Sequence, residues 1–410
     1  MGEPPPLTSI ADALRGVARR TGRLPIVAVP LAAARGLTLA RPVATDIDYP
    51  PFDKAMMDGF AVRAADCRGP GTALRIVGEV AAGQYFTGMV CPGEAVRINT
   101  GAPMPAGADA VVMIEHVTLD ASGTQLTTAE RLRPGENVAP RGADVQAGQV
   151  VLEAGQRLGP AQIAAAAAAG AVQLGVYRLP RVAILVTGDE LVEPGKCPTG
   201  GQIRNCNGPC LVAAAAELGC EVIDLGVVGD SPEALRERIE RGLEADILCV
   251  TGGMSMGQHD YVPGVLQAAG VELETQKIAI KPGKPAAIGV GPRGQMVFGL
   301  PGNPVSAYVC MLVFVRAAVE AMQARPVRAP ETIRVRMETA LKAAGARAEY
   351  IPAVLSTNGD GEWTARPARW TGSGDIFGLA RANGLLVRAA HEPATEPGAM
   401  LPAVILGRGM

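Results

Sequence analysis

From residue 181 onward the chain alternates short, continuous apolar runs with polar, glycine-rich breaks. Val182-Ala183-Ile184-Leu185-Val186 breaks into Thr187-Gly188-Asp189-Glu190, and Asp246-Ile247-Leu248-Cys249-Val250 breaks into Thr251-Gly252-Gly253-Met254-Ser255-Met256-Gly257-Gln258-His259-Asp260. Two further breaks are Ile278-Ala279-Ile280-Lys281-Pro282-Gly283-Lys284-Pro285 and Gly299-Leu300-Pro301-Gly302-Asn303-Pro304-Val305-Ser306. Continuous β-branched runs mark parallel strands buried on both faces, and the turns after them are where an open α/β sheet forms its ligand crevice. The breaks between 182 and 306 therefore predict one composite pocket. Helix signals fill the intervals, at 208–218 and at 232–243, the latter with Pro232 in its first turn and Asp230 or Ser231 as cap.

Other periods hold elsewhere. Leu7, Ile10, Leu14 and Val17 recur at helical spacing, and Gly22 can end that helix. From 27 to 40 an apolar strand turns at Pro30 into a short Ala/Leu helix. Short strands broken by Gly or Pro follow at 76–80, 94–98 and 110–114. Ile163 and the alanine run 164–169 are helical by propensity. Beyond 325, alternation as in 332–337 predicts a small β-rich domain. The pattern as a whole is that of an α/β and β multidomain protein.

At 410 residues the chain exceeds one ordinary core, and about two to four domains are expected. The net charge of -2 offers no general attraction to nucleic acid or an anionic membrane, so any anion site must be local. The opening Met1-Gly2-Glu3-Pro4-Pro5-Pro6 has no basic or apolar segment of a secretory signal, and the stretch 161–172 is too short and Ala-rich to span a bilayer. Eight scattered cysteines without a CxxC pair, and three isolated histidines, predict free thiols rather than a zinc site. A cytoplasmic protein is the resulting expectation.

The breaks carry the candidate chemistry. Glu190 and Asp260 supply carboxylates, Lys281 and Lys284 ammonium groups, and Ser306 a hydroxyl. Glycine lets a backbone approach an anion closely, and lysine is a point charge for phosphate. The plainer reading makes each Gly and Pro a tight strand-to-helix turn, Asp58-Gly59 a simple turn, and Asp230 a helix cap.

Order, spacing and wording of the motifs add a resemblance. Thr187-Gly188-Asp189-Glu190-Leu191, the stretch 251–257 with Asp260, Lys281-Pro282-Gly283-Lys284-Pro285 and the stretch 300–306 resemble the molybdopterin molybdenumtransferase family of MoeA type, to which the C-terminal domain of gephyrin also belongs. The stretches 50–61, 99–105, 133–144 and 371–385 match further family segments. The resemblance implies a central three-layer α/β molybdopterin-binding domain at 178–326 and a β-rich insertion domain at 47–146. It also implies a small linking and dimerisation module from 1–26 plus 147–177, joined through 27–46, and a β-rich C-terminal domain at 327–410.

It further implies roles. Asp58, Thr100, Asp144, Glu190, Asp230, Asp260, Lys277 and Lys281 fall on catalytic positions. Lys284, Gly252, Gly253, Ser255, Pro301, Gly302, Asn303, Pro304, Ser306 and Ser373 fall on substrate- and oxyanion-binding positions. Glu190, Asp230 and Asp260 are oxygen ligands suited to Mg²⁺, which binds through one or two carboxylates plus substrate phosphates. The implied reaction joins molybdate and adenylylated molybdopterin, releasing AMP and giving molybdenum cofactor on the pterin sulfurs. Implied partners are a second copy in a homodimer, a molybdopterin adenylyltransferase and molybdoenzyme maturation proteins. The alternatives are the preceding adenylyltransferase step and a non-catalytic oxyanion- or pterin-binding scaffold.

Two positions depart from the family pattern. Cys206 stands between Asn205 and Asn207 where the family usually has Ser, and Pro352 stands where it often has an Arg linked to molybdate recognition. Pro352 cannot supply a cation, so the expectation is either Arg347 or Arg369 as substitute or a lower oxyanion affinity.

Overall fold

The protein is described from a computed structural model, in which residues 7–254 and 261–407 are described. The chain forms two compact units: Met1–Val27, Gly36–Ala40 and Val176–Met410 make the first, Ala28–Arg35 and Arg41–Gly175 the second.

The first unit is built on a six-stranded sheet in the order Glu221–Val228, Arg181–Thr187, Ile247–Thr251, Met296–Leu300, Ala287–Val290, Glu272–Gln276. The first four of these strands run parallel and the rest join by antiparallel pairing. Strand alternation sends successive side chains to opposite faces. Val182, Ile184, Ile247 and Cys249 enter one core, with the helices Asn207–Glu217 and Pro304–Met322. Ala183, Leu185, Leu248 and Val250 enter the other, with the helices Pro232–Gly242 and Val262–Ala268. Burial on both sides is why these strands read as unbroken apolar runs, and the expected three-layer α/β domain is the result.

The helix Ile10–Arg20, capped by the Ser9 hydroxyl, sends Ala13, Leu14 and Val17 into the first of these cores. Pro304–Met322 is the one helix among the described residues long and apolar enough to cross a membrane, and 89% of that stretch is buried inside the protein. Its apolarity is that of a core helix.

Ile333–Met337, Ala348–Thr357, Trp363–Pro367, Gly384–Arg388 and Met400–Ile405 close into a small β-barrel, because Ala348–Thr357 pairs with both Trp363–Pro367 and Gly384–Arg388. Val335, Ala353, Leu355 and Leu386 fill it. The two-residue strand Ile280–Lys281 joins the barrel in parallel, placing Lys281 opposite Glu349. The expected β-rich C-terminal domain is thus a barrel tied to the loop that carries the cavity lysines.

The second unit holds a six-stranded sheet in the order Ala110–Met113, Gly59–Val62, Glu94–Ile98, Thr72–Val80, Gln125–Thr128, Val117–Leu119. Phe60, Val62, Ala95 and Val112 fill one core and Ala61, Val96 and Val111 the other. The alanine run forms the helix Pro160–Ala168 beside the strand Val150–Leu152. The helix expected after Pro30 is only the 3₁₀ turn Leu31–Ala33, cut short before Gly36, whose φ of 81° leaves the helical region.

Candidate functional site

Strand register sets the site. Val186 is opposite Thr251 and Thr251 opposite Leu300, so three of the glycine-rich breaks leave the sheet side by side at its carboxyl edge. A cavity of about 1430 Å³ opens there, walled also by the 281–285 loop and the 370–377 segment.

The breaks are locked together by close backbone approach and buried polar bonds. Gly252 has φ 99°, and a Cβ there would stand 2.1 Å from the Thr187 carbonyl oxygen, so only glycine fits. Thr251 Oγ1 donates to the Pro301 carbonyl at 2.9 Å. Asn207 Nδ2 donates to Thr251 Oγ1 at 3.1 Å and to the Gly302 carbonyl at 2.7 Å. Asn303 Nδ2 donates to Ser373 Oγ at 2.9 Å, and the Ser373 carbonyl accepts from Val305 N at 3.0 Å, which fastens the 371–375 loop to the 303–305 segment. Asp375 caps the short helix Ile376–Ala380, and the backbone N–H groups of Gly378 and Thr371 hold its carboxyl below the usual range.

Charges of both signs meet in this space. Glu190 and Asp230 line it together with Lys281, Lys284 and Arg347. Asp230 accepts from the Thr187 hydroxyl at 2.5 Å, while its own N–H donates to Asp189 Oδ1 at 3.0 Å. Lys281 Nζ lies 2.9 Å from Glu349 Oε1. Gly252, Gly253, Pro301, Gly302, Asn303 and Pro304 line the cavity, as do buried Ser306 and half-buried Ser373.

Not every expected residue meets here. Lys277 is absent from the cavity wall: it takes a positive φ of 63° in a turn where its N–H donates to the Ala286 carbonyl and its own carbonyl accepts from Thr8. Ser255 and Asp260 lie outside the described residues. Asp58, Thr100 and Asp144 belong to the second unit. There the Asp58 carboxylate accepts from Thr100 N at 2.6 Å, which together with the Thr100 side chain holds it below the usual carboxylate range. Gly59 is not the glycine of a turn. It opens a strand, and a Cβ would stand 2.0 Å from the Val112 carbonyl oxygen. The Asp144 N–H donates to the Tyr49 carbonyl.

Of the substitute cations, Arg347 lines the cavity and donates to the Ile280 carbonyl at 3.3 Å, while Arg369 does not line it. Pro352 is buried in a barrel strand opposite Leu385. Cys206 also lines the cavity, and burial pushes its thiol up. Asn207, Trp370, Phe377 and Glu349 are site features that periodicity does not reveal. Asn207 sits in the short polar triplet Asn205-Cys206-Asn207, which has no period, and the others depend on tertiary pairing.

Among the described residues no group of three or more His, Cys, Asp or Glu side chains converges to hold a metal. Glu190 and Asp230 are the lining carboxylates whose oxygen chemistry fits a hard divalent cation.

The architecture is that of a multidomain protein: an α/β domain with a cavity of mixed charge at its carboxyl edge, a β-barrel in the same unit, and a β-rich second unit. Residues 8–170 match the MoeA N-terminal region (domain I and II), residues 183–321 a probable molybdopterin binding domain, and residues 334–406 the MoeA C-terminal region (domain IV). The chain belongs to the molybdopterin molybdenumtransferase (MoeA) family. It is 36% identical to the molybdopterin molybdenumtransferase of Nostoc sp., over 90% of this chain and 86% of that one. It is 32% identical to the Staphylococcus aureus protein of the same name, over 91% and 90%. The crystal structure of a molybdopterin biosynthesis MoeA protein from Pyrococcus horikoshii superposes with TM-score 0.80 at 30% identity, covering 98% of this chain and 100% of that one.

Proposed function

We propose that the protein inserts molybdenum from molybdate into adenylylated molybdopterin and releases AMP. The observation that carries this reading is the gathering of Lys281 and Lys284 with Glu190 and Asp230 around one cavity of about 1430 Å³. That space exceeds the roughly 300–1,000 Å³ of a drug-sized ligand site, as a pterin joined to a nucleotide requires.

The division of labour follows from charge. Lys281, Lys284 and Arg347 suit dianionic oxyanions, aided by Ser306, Ser373 and the amides around Gly252, Gly253 and Gly302. Glu190 and Asp230 suit Mg²⁺, which would neutralise the bridging phosphates and so help AMP depart. The side chains position and polarise, while the pterin sulfurs receive the molybdenum, so the protein needs no thiolate or imidazole cluster of its own.

Asp58, Thr100 and Asp144 complete the site in this reading from a second copy of the chain, in a cytoplasmic homodimer. A scaffold has no use for paired lysines and carboxylates. An adenylyltransferase does not account for the β-rich unit and the barrel.

Mass analysis of the pterin product tests the assignment. Molybdenum retained on a pterin that has lost AMP, formed more slowly when Mg²⁺ is withheld, supports it. A rate indifferent to Mg²⁺ removes the metal role of Glu190 and Asp230.

A further inference from the structure

Lys281, Glu349 and Arg388 form a row across three neighbouring strands. Lys281 stands opposite Glu349 in the parallel pairing with Ile280–Lys281, and Glu349 stands opposite Arg388 in the antiparallel pairing with Gly384–Arg388. Charge alternates along the row and exposure falls: the side chains are 53%, 9% and 1% exposed. Directly opposed cross-strand side chains interact most strongly, and opposite charges favour the pairing.

The two oxygens of Glu349 face different partners. Oε1 takes a hydrogen bond from Lys281 Nζ at 2.9 Å, and Oε2 lies 3.9 Å from Arg388 Nη1. Arg388 is itself immobilised, donating through Nη1 to the Lys342 carbonyl at 2.5 Å and through Nη2 to the carbonyls of Glu392 at 3.2 Å and Pro393 at 2.6 Å. Its Nε stands 3.7 Å from Glu392 Oε1. A buried carboxylate persists in such a place only when paired. Arg388 supplies that pairing from within the barrel, and Lys281 supplies it from the cavity.

We propose that Glu349, seated against Arg388, is a positioning residue that fixes Lys281 for the oxyanion. The role rests on the reading of the cavity as a molybdate site. An ammonium has three donors, so one bond to Glu349 leaves two for an anion in the cavity. A lysine on its flexible four-carbon stem must otherwise give up its rotamer freedom when the ligand arrives. Here the barrel removes that freedom beforehand, which is how preorganisation raises affinity. A mere ion-pair staple between strands would stabilise the fold without regard to the ligand.

Steady-state AMP release with molybdate varied separates the two. Glu349→Asp keeps the charge beside Arg388 but is a methylene too short to hold Nζ. It raises the molybdate KM about tenfold, equivalent to about 1.4 kcal/mol, with kcat within about twofold. In a Lys281→Ala background the same substitution changes the molybdate KM no further, because both act through one amine. An unaltered KM in Glu349→Asp, or a full additive effect without Lys281, overturns the proposal. If Glu349→Asp does not fold, Arg388→Lys carries the test, with a KM rise of the same sense that also vanishes without Lys281. A wild-type protein that ignores molybdate removes the underlying reading instead, whereas a responsive wild type with indifferent variants removes the positioning role alone.

Discussion

Asn207 donates its side-chain amide to the Gly302 carbonyl at 2.7 Å although 95 residues separate them in the chain. The same nitrogen reaches Thr251 Oγ1, so one buried side chain at the head of a helix joins two of the breaks that wall the cavity. Asn207→Ala leaves a carbonyl and a hydroxyl short of a donor. The expected loss is about 1–3 kcal/mol of unfolding free energy in urea, with weaker substrate binding in variants that stay folded. A variant as stable as wild type would show that the breaks are held in place by their turns alone.

Gly252 makes a sharper claim. Alanine there meets both an unfavourable φ and the Thr187 carbonyl 2.1 Å from its Cβ, and a backbone oxygen cannot swing aside. Gly398 has φ 89° but open space around a Cβ, so Gly398→Ala reports the backbone strain by itself. Gly398→Ala should cost about 1 kcal/mol and Gly252→Ala at least about 2 kcal/mol more, with turnover lost. Equal losses in thermal or urea unfolding would mean that the close approach is unimportant.

Much of this was legible in the chain. Burial of both faces of the strands at 182–186 and 246–250 demands unbroken apolar runs, and the crevice follows from glycines where those runs end. What the local pattern lacks is register. Glu349 lies in a run, Ala348-Glu349-Tyr350-Ile351-Pro352, that names no partner, and only barrel closure sets it between Lys281 and Arg388. Lys277 shows the converse: the family resemblance implies a catalytic position for it, but its backbone, at a positive φ of 63°, keeps it off the cavity wall. Trp370 and Phe377 reach the cavity from a loop and a five-residue helix, neither long enough to show a periodic pattern.

Asp58 predicts a pH effect. The Thr100 N–H, followed by the Thr100 side chain, lowers its pKa in the folded state. A lowered carboxyl pKa adds stability that is fully present above the unfolded value and is lost as pH falls through the folded one. The stability difference between wild type and Asp58→Asn should therefore be constant near neutrality and shrink in acid, in denaturation followed from about pH 6 downward. A difference that persists unchanged to the lowest pH at which both variants fold contradicts the Thr100 contact.

Cys206 offers a probe of the cavity from inside. Burial raises its thiol pKa, so little thiolate is present at neutral pH, whereas Cys91 and Cys197 are exposed. Iodoacetamide should modify Cys91 and Cys197 first, and adenylylated molybdopterin should slow the reaction at Cys206 without protecting the other two. Cys206 labelling that is as fast as that of Cys91 and indifferent to the pterin would place the substrate elsewhere.

The most direct test of the function is AMP release from adenylylated molybdopterin in the presence of Mg²⁺, with and without molybdate. Release that depends on molybdate, and falls sharply in Lys281→Ala and Lys284→Ala proteins that remain folded, is the predicted result. Tight pterin binding with no AMP released, or release that neither molybdate nor the lysines affect, would contradict the account.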